Sequence, residues 1–224
     1  MSKPSSPPLH QDMVTYHPPP VKVIRDTEVI NLFYIPNYYV IIIALRQGPM
    51  TVRDLEQAFK EEARKHEGLE PRSDKSIYRY LKDLEKAALV VPAGQRVVSG
   101  KMVTETLFAR TGQIFLLFRT KPDWWLTKQG AAVAKRIGRL LTFLLGGKMP
   151  PIPALQRLLK QFEENRQTLL ERLASQGDKQ VLETLASSTL TEHFRIEDAV
   201  GYFSTFILQP ELLDQLRDIM KLKK

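Results

Sequence analysis

Apolar and polar positions follow two rhythms along the chain, one of 3.6 residues and one of two, and these place most of its elements. The run YYVIIIAL, Tyr38 to Leu45, is apolar throughout, with Pro36 and Asn37 before it and Gly48 after it. It reads as a helix opened by proline and closed by a glycine cap. Thr51 then begins a second helix, with Asp54 three positions on in a variant of the capping-box spacing and Val52, Leu55, Phe59 and Ala63 as its apolar stripe. In RSDKSIYRYLKDLEKAALVV, Arg72 to Val91, the residues Ile77, Tyr80, Leu81 and Leu84 share one side of a third helix, N-capped by Ser73 and closing near Ala88. The rhythm then changes to two. LVVPAGQRVVSGKMVTETLFAR predicts two β-segments around the SGK turn, Ser99 to Lys101. Past the turn, Met102, Thr104, Thr106 and Phe108 alternate with Val103, Glu105 and Leu107. The run TGQIFLLF after Arg110 fits either a short helix or a strand.

Beyond Pro122 the helical period returns. Leu126, Val133, Ile137, Leu140, Leu141 and Leu144 predict one amphipathic helix over Pro122 to Leu145, stopped by Gly146 and Gly147 and followed by the stiff linker MPPIP. Leu155, Leu159, Phe162, Arg166, Leu169 and Leu173 form a short heptad stripe with one polar interruption. Further helices are expected around Val181 to Ala186, Ile196 to Leu208, and from Pro210 onward. The expected fold is mainly α. It comprises a winged helix over 21–119 (three helices plus a β-hairpin wing), a long basic amphipathic helix over 120–148, and a helical region over 149–224 for dimerisation or effector binding. Residues 1–20 hold six prolines and little that packs, so they are expected to form a disordered or polyproline-like tail.

Composition narrows the function. The absence of cysteine excludes disulfides, cysteine-based zinc sites and thiol chemistry, and fits a reducing interior. His10, His17, His66 and His193 have no metal-pair spacing. There is no phosphate-binding glycine loop and no G-x-S-x-G turn, and pairs such as Glu61–Glu62 and Glu163–Glu164 read as solvated charge. The expectation is a protein that is not an enzyme, with no metal and no cofactor. The N-terminus lacks a signal-peptide pattern and the longest apolar run is eight residues, which predicts a cytoplasmic protein, associated with the nucleoid and not with a membrane.

Net charge is +8, and it is unevenly placed: +4 over 21–119, +5 over 120–148 and −1 over 149–224. On the third helix Lys75, Arg79, Lys82 and Lys86 fall within about 60° of one another, opposite the apolar face, with Tyr78 at their edge. Such a line either solvates a helix or meets a polyanion. In a winged helix the third helix enters the major groove and the wing lies along the backbone. That assigns Ser73, Lys75, Ser76, Tyr78, Arg79 and Lys82 to double-stranded DNA, with Arg53, Arg96 and Lys101 as backbone contacts. Arg79 is the candidate base reader, because a guanidinium can bond both acceptors of guanine. The lysines would hold phosphates. The basic helix over 120–148 either pairs two copies with its cations leaning toward DNA or lies on an anionic membrane. Trp124 and Trp125 read as a core or interface plug. Leu155, Leu159, Phe162, Leu169 and Leu173 form either a dimer seam or a contact among the chain's own C-terminal helices.

The stretches IPNYYVIIIALRQGPMTVRDLEQAF, SIYRYLKDLEKAALVV and TETLFARTGQIFLL resemble winged-helix transcriptional regulators of the ArsR-like superfamily, particularly the archaeal kind. SIYRYLKDLEKAALVV is also similar to the matching stretch of PadR-type regulators, whose C-terminal helices form the dimer. The resemblance covers about residues 26–118. It implies a DNA-facing role for Ser76, Tyr78, Arg79 and Lys82. Two departures stand out. The link EEARKHEGLEPRSD is longer than the usual tight turn, so the second helix is expected to run on, and the metal-sensing cysteines of some members are missing. The expected function is sequence-specific binding of duplex DNA by a homodimer, for transcriptional control, with any small-molecule effector unknown. The alternative is a winged-helix scaffold that binds proteins and never touches DNA.

Overall fold

Most of the helices, and the strands of the hairpin, follow from the two periods. The computed structural model describes residues 10–98 and 104–222. It is mainly helical, with a small antiparallel sheet and a further pair of strands, and it divides into two compact units, Met1–Leu116 and Leu117–Lys224. The basic helix after the hairpin therefore belongs with the C-terminal helices, and the proline-rich segment with the first unit.

In the first unit the order is β1 (His10–Val14), β2 (Val21–Ile24), α1 (Thr27–Leu32), α2 (Pro36–Ala44), α3 (Val52–Lys65), α4 (Asp74–Lys86), β3 (Val90–Val98), β4 (Thr104–Arg110) and β5 (Ile114–Leu117). Helices α2, α3 and α4 pack on one another. Ile41, Leu55, Phe59, Ile77, Leu81 and Leu84 are fully buried there, each contributing about 1.5–3 kcal/mol of apolar burial. The capping box of α3 forms as the spacing predicts: Asp54 N donates to Thr51 Oγ1 at 3.2 Å and Thr51 N donates to Asp54 Oδ2 at 2.9 Å. α3 runs for 14 residues, long as expected. Gly48 does not cap α2; the helix ends at Ala44 with Leu45 as its C-cap, and Gly48, at φ +139°, turns the chain beyond it. TGQIFLLF resolves to a strand, β5, all four residues of which are buried.

The expectation of a disordered tail is corrected for residues 10–20. β1 pairs antiparallel with β3, so that the first sheet has the order β1-β3-β4, and β2 pairs with β5 in a second. The prolines take part as acceptors, the one hydrogen-bonding role they keep: Gln113 N donates to Pro19 O and Ile114 N to Pro20 O, both at 2.9 Å. β1 is polar and mostly exposed, so no apolar face announces it. A charge row holds it instead. The strand register sets Asp12 opposite Arg96 and Arg96 opposite Glu105. The Arg96 guanidinium donates two bonds to Asp12, at 2.6 and 2.8 Å, and two to Asp54 on the first turn of α3, at 2.7 and 2.9 Å. One side chain thus ties β1, β3 and α3 together. Beside it Gly94, at φ +141°, lets β1 approach; a Cβ there would lie 2.0 Å from Met13 O.

The second unit begins with a 3-10 turn (Pro122–Leu126), followed by α5 (Lys128–Leu145), α6 (Ile152–Gln176), α7 (Lys179–Ser187), α8 (Leu190–Leu208) and α9 (Glu211–Met220). The single helix expected from Pro122 is broken at Thr127. Its hydroxyl donates to Trp124 O at 2.7 Å and accepts from Gly130 N at 3.0 Å, closing one element and capping the next. The polar interruption of the heptad, Arg166, is buried, and so is Glu163, which the sequence suggests is solvated. They pair at 2.8 Å, and Gln167 Nε2 donates to the same carboxylate, also at 2.8 Å. No helix among the described residues is long and apolar enough to cross a membrane.

The Arg96 clasp yields a stability prediction. Hydrogen bonds from Arg96 hold the Asp12 carboxyl below its ordinary value of 3.8, against the opposing effect of burial. Arg96→Ala leaves Asp12 and Asp54 without their shared cation, and is expected to cost about 1–3 kcal/mol at neutral pH in urea unfolding. A depressed carboxyl stabilises fully above its unfolded value and loses that contribution as pH falls through the folded one. The gap between wild type and variant should therefore narrow below about pH 4. A gap that stays constant to pH 2 contradicts the clasp.

Candidate nucleic-acid interface

Helix α4 is the element whose outer face has the chemistry of a polyanion contact. Its inner face, Ile77, Tyr80, Leu81 and Leu84, is buried, which fixes its rotation. Tyr80 packs edge-on against Tyr38 at 5.6 Å between centroids, and the Tyr38 hydroxyl donates to Asp83 Oδ2 at 3.0 Å. Burial, then that bond, push the Tyr38 phenol up. Ser73 occupies the N-cap position, but its hydroxyl caps nothing; it lies 3.3 Å from Ser76 Oγ.

The other end of α4 is held by residues that sequence periodicity does not single out. Ala88 turns out of the helix at φ +53°, a conformation that costs a non-glycine residue about 1 kcal/mol. Its carbonyl accepts from Lys22 Nζ on β2 and from Thr111 Oγ1 at 2.6 Å, and Lys22 also reaches Thr111 Oγ1 at 3.0 Å. Burial lowers the Lys22 ammonium from its usual range. A lone lysine inside a short apolar strand that follows three prolines gives no sequence signal of this role.

Rotation and anchoring leave Lys75, Arg79, Lys82 and Lys86 exposed in one line, as the helical period predicts. Lys75, Arg79 and Lys82 are in no ion pair among the described residues, and Lys86 lies 3.9 Å from Asp83. The Arg79 guanidinium sits 5.2 Å above the Tyr80 ring. Tyr78 is 47% exposed, with its ring edge-on to Phe108 of β4, and Ser76 is half-buried.

The expected backbone contacts fare differently. Arg96 is corrected: its side chain is only 14% exposed and its donors are held by Asp12 and Asp54, so it is a structural clasp and not a free cation. Arg53 stays 69% exposed, although its Nε is 3.1 Å from Glu105. Lys101, with the rest of 99–103, lies outside the described residues. Sequence reasoning also passed over Arg110, which is buried with its guanidinium 4.4 Å over Phe115. Burial and the nearby Arg46 push it down to about 10, so it stays cationic at neutral pH.

In the second unit, Lys128, Lys135, Arg136 and Arg139 are exposed on α5. The heptad stripe touches the chain's own helices, with most of its residues only half-buried. Leu155 is buried, Phe162 stacks on Tyr202 at 5.7 Å and meets Phe206 at a tilt at 5.5 Å, and all three of Leu155, Leu159 and Phe162 line one apolar cavity. Leu169 and Leu173 line a smaller cavity of about 460 Å³ with Val200 and Leu208.

The anchoring of α4 predicts that Lys22→Met destabilises the chain by about 1–2 kcal/mol in urea unfolding, with a non-additive double mutant when combined with Thr111→Val. Full additivity would mean that the two donors do not share one acceptor. Compared with known protein families and with curated proteins, the chain shows no match.

Proposed function

We propose that the first unit is a winged-helix domain that binds double-stranded DNA and serves transcriptional control, with the chain acting as a homodimer. The observation that carries this reading is the α4 face: three unpaired, exposed cations in line on a rigidly held helix, followed in the chain by the β3–β4 hairpin. In this reading α4 enters the major groove. Lys75 and Lys82 hold phosphates on either side, and Arg79 reads a base edge. Tyr38 supports the arrangement by binding Asp83, which keeps the nearest carboxylate turned partly toward α2. The scaffold alternative uses the same fold without the charge, so salt separates the two.

With Arg96 withdrawn, the remaining cationic contacts of one copy are Arg53, Lys75, Arg79, Lys82 and Lys101, the last outside the described residues. On random duplex DNA, Arg79 has no cognate base and meets a phosphate instead. About five phosphates neutralised per copy then contribute about −4 to −5 to the slope of log affinity against log salt, and a dimer engaged through both copies about twice that. Arg79→Ala/Lys82→Ala should flatten the slope by about two per copy and weaken binding tenfold or more at low salt. Arg96→Ala should leave the slope unchanged in spite of its effect on stability. The measurement is fluorescence anisotropy of a labelled duplex across salt concentrations. Undetectable binding at low salt, or a double variant indistinguishable from wild type, sinks the DNA reading and leaves the scaffold.

A further inference from the structure

Helix α5 carries two apolar stripes, and among the described residues only the smaller is covered along its length. Gly130, Ala134 and Gly138 are buried; a Cβ on Gly130 would lie 2.4 Å from the Trp124 and Trp125 carbonyl oxygens, and one on Gly138 would lie 2.9 Å from Met149 Cε. The larger stripe, Ile137, Leu140, Leu141 and Leu144, is the one that sequence periodicity predicts to be covered. Instead Leu140 is 63% exposed and Leu144 72%. Helix α8 repeats the situation, with Phe203 67% and Ile207 75% exposed. Both helices pack on α6. Between them opens a cavity of about 970 Å³, walled by Ile137 and Leu141 on one side and Ala199 and Phe203 on the other, with Leu159 and Phe162 in its floor.

We propose that this groove and its lip are the dimer interface: the Leu140–Leu144 ridge of one copy lies in the groove between α5 and α8 of a second copy, and the reverse contact closes the pair about a two-fold axis. The proposal deepens the homodimeric reading above and rests on it. Area supports it first. Leu140, Phe143, Leu144, Leu145, Phe203 and Ile207 each leave more than half their surface in water. Together they amount to about 700 Å² per copy, close to the size one side of a stable interface needs and above what a lone soluble chain usually leaves open.

Charge limits where the contact can lie. Lys128, Lys135 and Arg139 are on the side of α5 opposite the stripe, and Arg136 stands at its edge, about 40° from Leu140. Of the two charged residues lining the groove, Asp198 is already met by Arg119 at 3.2 Å and by Arg166 at 3.7 Å, and Arg195 is exposed. Shape supports it second. A small apolar ligand could fill the cavity but would leave Phe143 and Leu144, which do not line it, in water. A second copy supplies both the ridge and the groove, which is the self-complementarity a two-fold contact requires.

The test is sedimentation velocity with native mass spectrometry on the full chain at micromolar concentration. Wild type is expected at twice the chain mass. Leu144→Glu and Phe203→Glu, both exposed in the free chain, are expected at the chain mass with unchanged far-ultraviolet circular dichroism and at least tenfold weaker pairing. Should either charge disturb the fold, Leu140→Gln/Leu144→Gln is judged by the same criterion. A wild-type chain that stays at single mass, a dimer undiminished in every correctly folded variant, or a single-mass wild type carrying a co-purified apolar ligand each overturns the proposal. Arg79→Ala/Lys82→Ala must remain dimeric; if it loses duplex binding and keeps its mass, the loss bears on DNA alone. A dimer with no affinity for duplex retires the DNA reading and leaves this interface standing.

Discussion

The guanidinium of Arg96 is the constraint on which the first unit turns. Four hydrogen bonds leave it for two carboxylates from different elements, one on a polar N-terminal strand and one on the first turn of α3. β1 has no apolar face to hold it, so backbone pairing and this cation do so together. Asp54 also belongs to the capping box of α3, so the clasp couples the start of that helix to the hairpin. Arg53 and Glu105 extend the same row. Removing the cation would leave carboxylates facing one another, which is why a partly exposed ion network matters more here than isolated surface pairs usually do.

The clasp also decides which cations are free. Two arginines expected to touch a nucleic-acid backbone lie in the row, and Arg96 is fully engaged by it. The outer face of α4 is different: its inner side is fixed by apolar burial and its end by Lys22 and Thr111, so the positive line is rigid without being neutralised. Rigid, unpaired charge loses little entropy on meeting phosphates, and this is the physical basis of the proposed function. The second unit, with its nearly neutral C-terminal helices and exposed apolar ridge, has the chemistry of assembly.

Periodicity made much of this legible. The stripes of α3 and α4, the capping box at Thr51, the hairpin and the later helices are local patterns, and local patterns survive folding. What escaped was non-local. No spacing rule connects Asp12 to Arg96, which are 84 residues apart, and a strand made of HQDMV offers no alternation to find. Pro18 to Pro20 read as disorder because prolines lack donors, although their carbonyls accept bonds from the residues leading into β5. In α5 the large apolar stripe was plain, but the chain packs it by the glycine and alanine edge, which hydrophobicity alone does not weigh. Arg166 shows the converse, a charge read as an interruption that is in fact buried with Glu163.

Lysine footprinting tests the central claim most directly, because it reports which surface a duplex covers. The full chain is acylated with and without saturating duplex at low salt, and each lysine is read by mass spectrometry. Lys75 and Lys82 are predicted to be protected several-fold. Lys160, tied to Asp123 and Glu164 on α6, serves as the internal control and should label at the same rate in both samples. Equal labelling of Lys75 and Lys82 with and without duplex, under conditions where the duplex is bound, would place the DNA elsewhere and contradict the account.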